Sequence, residues 1–232
     1  MPPFPNSRDA TSNSRRAAGR PPVPREQIIA AALAILDEEG ADALSLRALA
    51  QRLESSTATL YRHFDSRADL LAQVVDRIFG EIEFAVDPGQ AANWQDACGA
   101  LATAMFEALR RHRNAAPLIG EHVPIGPNAL VHRERALALL LAAGFSPALA
   151  ARAYATLARH VLGFAMQLNQ AAAQRREDTD VSAHLHRLDP DRFPATVAVA
   201  DALPVALEDE FGFGLRLIII GLETARTGEA RD

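Results

Sequence analysis

Between residues 57 and 67 the chain sets Thr57, Thr59, Tyr61, Arg62, His63 and Arg67 close together. Their hydroxyl, imidazole and guanidinium groups hydrogen-bond to base edges and phosphates. Groups for bond-breaking chemistry are harder to find. All 24 basic residues are arginine, which excludes a Schiff-base lysine and a lysine-centred phosphate loop. No Gly-x-Ser-x-Gly elbow is present, so a hydrolase reading is weak and no catalytic residue is assigned. His122, His132, His160, His184 and His186 lack ligand spacing, except His184 with His186 in a polar stretch. They read as core or surface residues, and neither a metal nor a cofactor is expected. Trp94 and Phe106 read as packing residues. Cys98 is the one cysteine, so this chain forms no internal disulfide and no cysteine cluster.

To enter a DNA groove, residues 57–63 must project from a short exposed helix braced by another. The hydrophobic period supplies such a frame. Ile28, Ala32, Ile35 and Leu36 recur at helical spacing ahead of Gly40, giving a helix from about residue 25 that stops at the glycine. Ser45 stands as an N-cap before Leu46, Leu49, Ala50 and Leu53. A polar break at 54–56 separates that helix from a second one over 57–64. Ser66-Arg67-Ala68-Asp69 then resembles a capping box with aspartate in its last place, opening a long helix to about residue 84. Helices 46–53 and 57–64 make a helix-turn-helix, with the second in the major groove and Arg47 and Arg67 gripping phosphates on either side. Two ordinary amphipathic core helices would give the same pattern.

Composition fits an all-α chain: 49% hydrophobic and 6% aromatic, with Ala, Leu, Arg and Glu prominent. The net charge is −5, yet residues 1–24 carry Arg8, Arg15, Arg16 and Arg20 against Asp9 alone, with Pro, Ser and Asn between them. This reads as a flexible basic arm, so the expected domains are the arm at 1–24, a DNA-binding domain at 25–70 and a second domain at 71–232. Beyond residue 84 the pattern predicts helices over 94–112, 129–143, 147–173, 195–203 and 207–226, with a loop at 117–127 and a polar stretch at 174–192. The apolar run 217–222 is far short of the roughly 20 residues of a membrane span. Without a signal-peptide pattern, the expected location is the cytoplasm.

Residues 25–84 resemble the DNA-binding domain of the TetR (tetracycline repressor) family of transcriptional regulators. Leu46 to Leu53, Thr59-Leu60-Tyr61-Arg62-His63-Phe64 and Ala68-Asp69-Leu70-Leu71 carry the resemblance. It implies that Thr57, Thr59, Tyr61, Arg62 and His63 lie in the recognition helix, that Leu60 and Phe64 pack inward, and that Leu46, Arg47 and Arg67 flank the DNA backbone. The family usually has Gly in the turn where Glu54 stands here. Trp94-Gln95-Asp96, His112-Arg113, Gly144-Phe145-Ser146 and the segment 211–223 resemble the tetracycline-repressor class of C-terminal domain.

That resemblance implies a helical ligand-binding and dimerisation domain, with the helix from Pro147 and the last helix pairing with those of a second copy. Aligned without gaps, Ile119 and Gln167 fall where that class has metal-binding residues, and neither replaces them. Leu101 and Met105 fall where it has an amide and an aromatic ring. His122 and Gln167 then remain as the polar groups of a mainly aliphatic cavity, which suits a small apolar effector bound without metal. Leu215, Ile218, Ile219 and Leu222 form an apolar stripe too extensive for a solvated surface, so they are the expected homodimer contact. The partners expected are a double-stranded DNA operator, the effector and a second copy, with no membrane. An enzyme using the apolar cavity and an architectural DNA-binding protein are the alternatives.

Overall fold

The computed structural model describes residues 23–83, 93–121, 123–168 and 180–229. All but the last two residues of the basic arm lie outside them, as does His122. Helices α1 (Arg25–Glu39), α2 (Leu46–Arg52), α3 (Thr57–Leu60) and α4 (Arg67–Gly80) make the N-terminal unit. They are followed by α5 (Trp94–Arg111), α6 (Ala116–Glu121), α7 (Pro127–Ala142) and α8 (Pro147–Ala165). Residues 180–185 are helical, and α9 (Pro194–Ala198) and α10 (Leu207–Glu229) complete the order. No strand occurs among the described residues, and no helix is long and apolar enough to cross a membrane.

The helix boundaries follow their caps. Ser45 accepts from the Ala48 N–H and Ser66 from the Asp69 N–H, each at 3.1 Å, satisfying donors that a helix start leaves open. Asp69 reaches back to the Asp65 N–H at 3.1 Å, one residue before the cap that a longer Glu would reach. Gly40, at φ 88°, closes α1 with its N–H on Leu36 O at 3.0 Å. Ile28, Leu36, Leu49, Leu60, Phe64 and Leu70 are fully or almost fully buried and bind α1 to α4 into one unit.

Three expectations change. The loop predicted at 117–127 begins as α6, because Gly120 and Pro117 sit within a helix of a turn and a half where each is tolerated. Regular helix in the recognition segment stops at Leu60, although Phe64 N–H still bonds Leu60 O at 3.1 Å. The buried Phe64 and the Ser66 cap draw the chain toward α4. Finally, Leu215, Ile218, Ile219 and Leu222 face their own chain: Leu215 is buried and the others pack on its core. The outward stripe of α10 is instead Phe213, Leu217 and Ile220, exposed by 57%, 53% and 64%. Both sides of this helix are apolar at helical spacing, so period alone does not say which meets the core.

Inside, α10 closes on α8 and α5. Phe211 stacks between Phe106, 4.1 Å away, and His160, 5.1 Å away, and its carbonyl lies 3.0 Å from His160 Nε2. Gly214 permits this approach, since a Cβ there would run into the His160 ring. Trp94 meets Phe145 edge-on at 4.9 Å.

Candidate DNA-reading surface and ligand cavity

The turn between α2 and α3 is built from α2's own C-terminus. Ser55 N–H bonds Ala50 O at 2.9 Å and Glu54 N–H bonds Gln51 O at 3.0 Å, the paired bonds of a Schellman ending. That ending needs a left-handed residue, and Glu54 takes the place with φ 46°. Ser56 then caps α3, accepting from the Thr59 N–H at 3.2 Å and sharing a 2.9 Å hydroxyl contact with Thr59. Arg62 Nη2 donates to the same Thr59 hydroxyl at 3.3 Å.

Thr57, Tyr61 and Arg62 stand on the exposed side of this segment, with Tyr61 60% exposed. Thr59 and His63 are half-buried, and Leu60 and Phe64 are inside. Arg47 is exposed on α2. Two other residues behave differently from expectation. Leu46 is only 8% exposed, so its side chain belongs to the core and only its backbone is left for a partner. Arg67 donates from Nε to Leu44 O at 2.7 Å and from Nη2 to Ala41 O at 2.6 Å. Its guanidinium pins the α1–α2 connection onto α4, which limits it as a phosphate clamp.

Helices α4, α5, α6, α7 and α8 surround a cavity of about 370 Å³. Leu101, Met105 and Ile119 line it, and Phe79 brings the end of α4 into its wall. Gln167 is exposed outside the lining, its amide 3.3 Å from Gly163 O. Helix α8 ends at Ala165, so Gln167 lies in the turn beyond the helix rather than on its cavity face. Among the described residues, the polar groups on the wall are His132, Arg133, Tyr154 and Arg159. Arg133 Nη2 donates to Pro124 O at 2.9 Å, and its Nε donates to the Tyr154 hydroxyl at 3.4 Å. Burial, helped by the charge of Arg135, pushes the His132 imidazole down to about 4, so it lines the cavity as a neutral ring. Burial likewise pushes the Cys98 thiol up to about 11, which makes it a small apolar wall residue.

The period did carry a signal for His132, since Ala129, His132, Leu139 and Leu140 are the buried positions of α7. Tyr154 and Arg133 meet only through the packing of α7 on α8, which no local pattern announces. No group of three or more His, Cys, Asp or Glu positioned for a metal occurs among the described residues.

Residues 28–74 match the model for bacterial regulatory proteins of the tetR family, and residues 87–226 match that for the tetracyclin repressor-like C-terminal domain. The HTH-type transcriptional repressor DrrR1 of Streptomyces coeruleorubidus is 30% identical over 223 residues, spanning 91% of this chain and 82% of its own. Apo ActR from Streptomyces coelicolor superposes with a TM-score of 0.81 at 33% identity, covering 90% of this chain and 98% of ActR. ActR in complex with actinorhodin gives 0.79 at 30% identity, covering 88% and 99%.

Proposed function

The chain belongs to the TetR family of transcriptional regulators, and from that premise we propose that it works as a homodimer on a pseudo-palindromic operator, repressing until a small, mainly apolar molecule fills the cavity. It is a ligand-responsive DNA-binding regulator. The observation that carries the proposal is the position of α4. This helix begins at Arg67, whose guanidinium holds the α1–α2 connection, and in its last turn places Phe79 in the cavity wall. An occupant that displaces Phe79 therefore moves the base of the recognition segment.

Two copies of that segment must lie about 34–36 Å apart to enter successive major grooves. A ligand that binds better to a differently spaced dimer lowers operator affinity by its differential affinity for the two states. The exposed stripe Phe213, Leu217 and Ile220 supports an isologous contact between last helices. Access to chromosomal DNA places the protein in the cytoplasm. Thr57, Tyr61 and Arg62 are assigned to base reading, helped by Thr59 and His63, and Arg47 to phosphate. Leu101, Met105 and Ile119 are assigned to the effector.

Sequencing genomic DNA fragments captured by the purified protein tests the reading. Enrichment of one inverted repeat is expected, and sequence-independent capture would support an architectural protein instead. Chemical conversion of a cavity-bound compound would favour an enzyme.

A further inference from the structure

We infer that the cavity takes an organic anion, a compound whose apolar body fills the chamber while an acidic oxygen group is held by Arg133 and Tyr154. The inference rests on reading the cavity as the effector site and specifies the chemistry of the occupant.

The chamber is walled mainly by aliphatic side chains, which suit a compact apolar body. Its titratable groups are strongly one-sided. Arg133 and Arg159 both line it, and no Asp or Glu does among the described residues. Neither arginine forms an ion pair with a described carboxylate. A half-buried cation with no carboxylate partner among the described residues favours a ligand that brings the negative charge.

Geometry narrows the site to Arg133. Its Nη2 is bonded to Pro124 O and its Nε to the Tyr154 hydroxyl oxygen, so the guanidinium plane is fixed before any ligand arrives. Nη1 has no bond to a described residue, and the Tyr154 hydroxyl, already accepting from Nε, keeps its own proton to donate. Each residue thus keeps one donor for the oxygens of an anion, beside a fixed positive charge that favours it. Both residues are half-buried, deep enough to strengthen the contact and open enough to be reached. Arg159 is exposed and adds attraction without a fixed geometry.

Two fluorescent probes test this in the full chain: 8-anilinonaphthalene-1-sulfonate and its uncharged counterpart N-phenyl-1-naphthylamine. The sulfonate should bind about tenfold more tightly than the neutral probe, as expected of one charge-assisted contact. Its affinity should fall with added salt, while that of the neutral probe should not. Arg133→Met, which keeps the apolar stem, should erase the preference by weakening the sulfonate alone, and Tyr154→Phe should weaken it a few-fold. Leu101→Trp, which fills the chamber, should abolish binding of both. If the neutral probe binds as well as the sulfonate in the unaltered protein, the anion proposal is overturned while the cavity reading survives. That result needs no variant to fold. If neither probe binds, or if Leu101→Trp leaves both bound, the cavity reading falls and this inference with it.

Discussion

His112 Nδ1 lies 2.9 Å from Oδ2 of Asp37, joining the end of α5 to the last turn of α1. On its other side, Nε2 lies 2.9 Å from Oε2 of Glu81, just beyond α4. Asn114 completes the joint, donating to the Leu36 and Asp37 carbonyls at 2.8 and 3.1 Å and satisfying the open end of α1. One ring thus ties the N-terminal unit to a helix of the cavity. His112→Ala leaves two carboxylates partly buried without this partner, and should lower unfolding free energy by about 1–3 kcal/mol. Urea denaturation followed by circular dichroism measures it. An unchanged midpoint would mean that the joint adds nothing to stability.

Glu81 gives the same joint a pH dependence of known sign. Burial raises its carboxyl, but hydrogen bonds from His112 and Arg77, with their charges, outweigh that and hold it below the usual value. A group whose folded value is depressed stabilises above its unfolded value, about 4.3 for Glu, and loses that contribution as pH falls through the folded value. The unaltered protein should therefore exceed Glu81→Gln by about 1 kcal/mol near neutrality. The difference should shrink below about pH 4. A gap that widened on acidification would contradict the assignment.

Glu54 at φ 46° and Gly144 at φ 87° occupy equivalent places in two Schellman endings. Only the first carries a side chain that resists the conformation. Glu54→Gly should stabilise the protein by about 0.5–1 kcal/mol, and Gly144→Ala should destabilise it by about 1 kcal/mol. Thermal unfolding compares them. A lower melting temperature for Glu54→Gly would show that the contacts of its side chain outweigh the backbone cost.

The N-terminal unit was legible because its determinants are local. Ser45, Ser66 and Gly40 mark helix ends, and Leu60 and Phe64 fall at helical spacing from the other core residues. Where a side chain's partner is distant in sequence, legibility ended. Arg67 looks like a phosphate contact until Leu44 and Ala41 are seen to hold it. Arg133 looks like a solvated helix residue until Tyr154 arrives from α8. In α10, both faces are apolar, and only the packing of α5 and α8 decides which is inner.

That decision separates two substitutions within one turn of α10. Leu217→Arg puts a charge on the outward stripe, so light scattering should give a monomer that keeps its helical circular dichroism. Ile219→Ala removes volume from the inner face, near Gly99, and should cost about 2 kcal/mol with assembly retained. A dimeric Leu217→Arg protein would exclude this stripe as the contact.

The arginines of the DNA-reading surface should divide in a similar way. Arg62 is exposed and steadied by Thr59, so Arg62→Ala should cost about 1–3 kcal/mol on the operator and little on unrelated DNA. Arg47 is exposed and bonded to none of the described residues. Arg47→Ala should weaken every sequence alike and reduce the salt slope by about one unit. Arg67 should do neither. Its loss frees the Leu44 and Ala41 carbonyls and loosens the frame beneath the recognition segment, so Arg67→Ala should lower the urea midpoint and weaken operator binding with the salt slope unchanged. Gel-shift titrations of the three variants at several salt concentrations, beside their unfolding curves, separate the roles. A salt slope reduced by one unit in Arg67→Ala, with stability intact, would return that residue to the phosphate backbone.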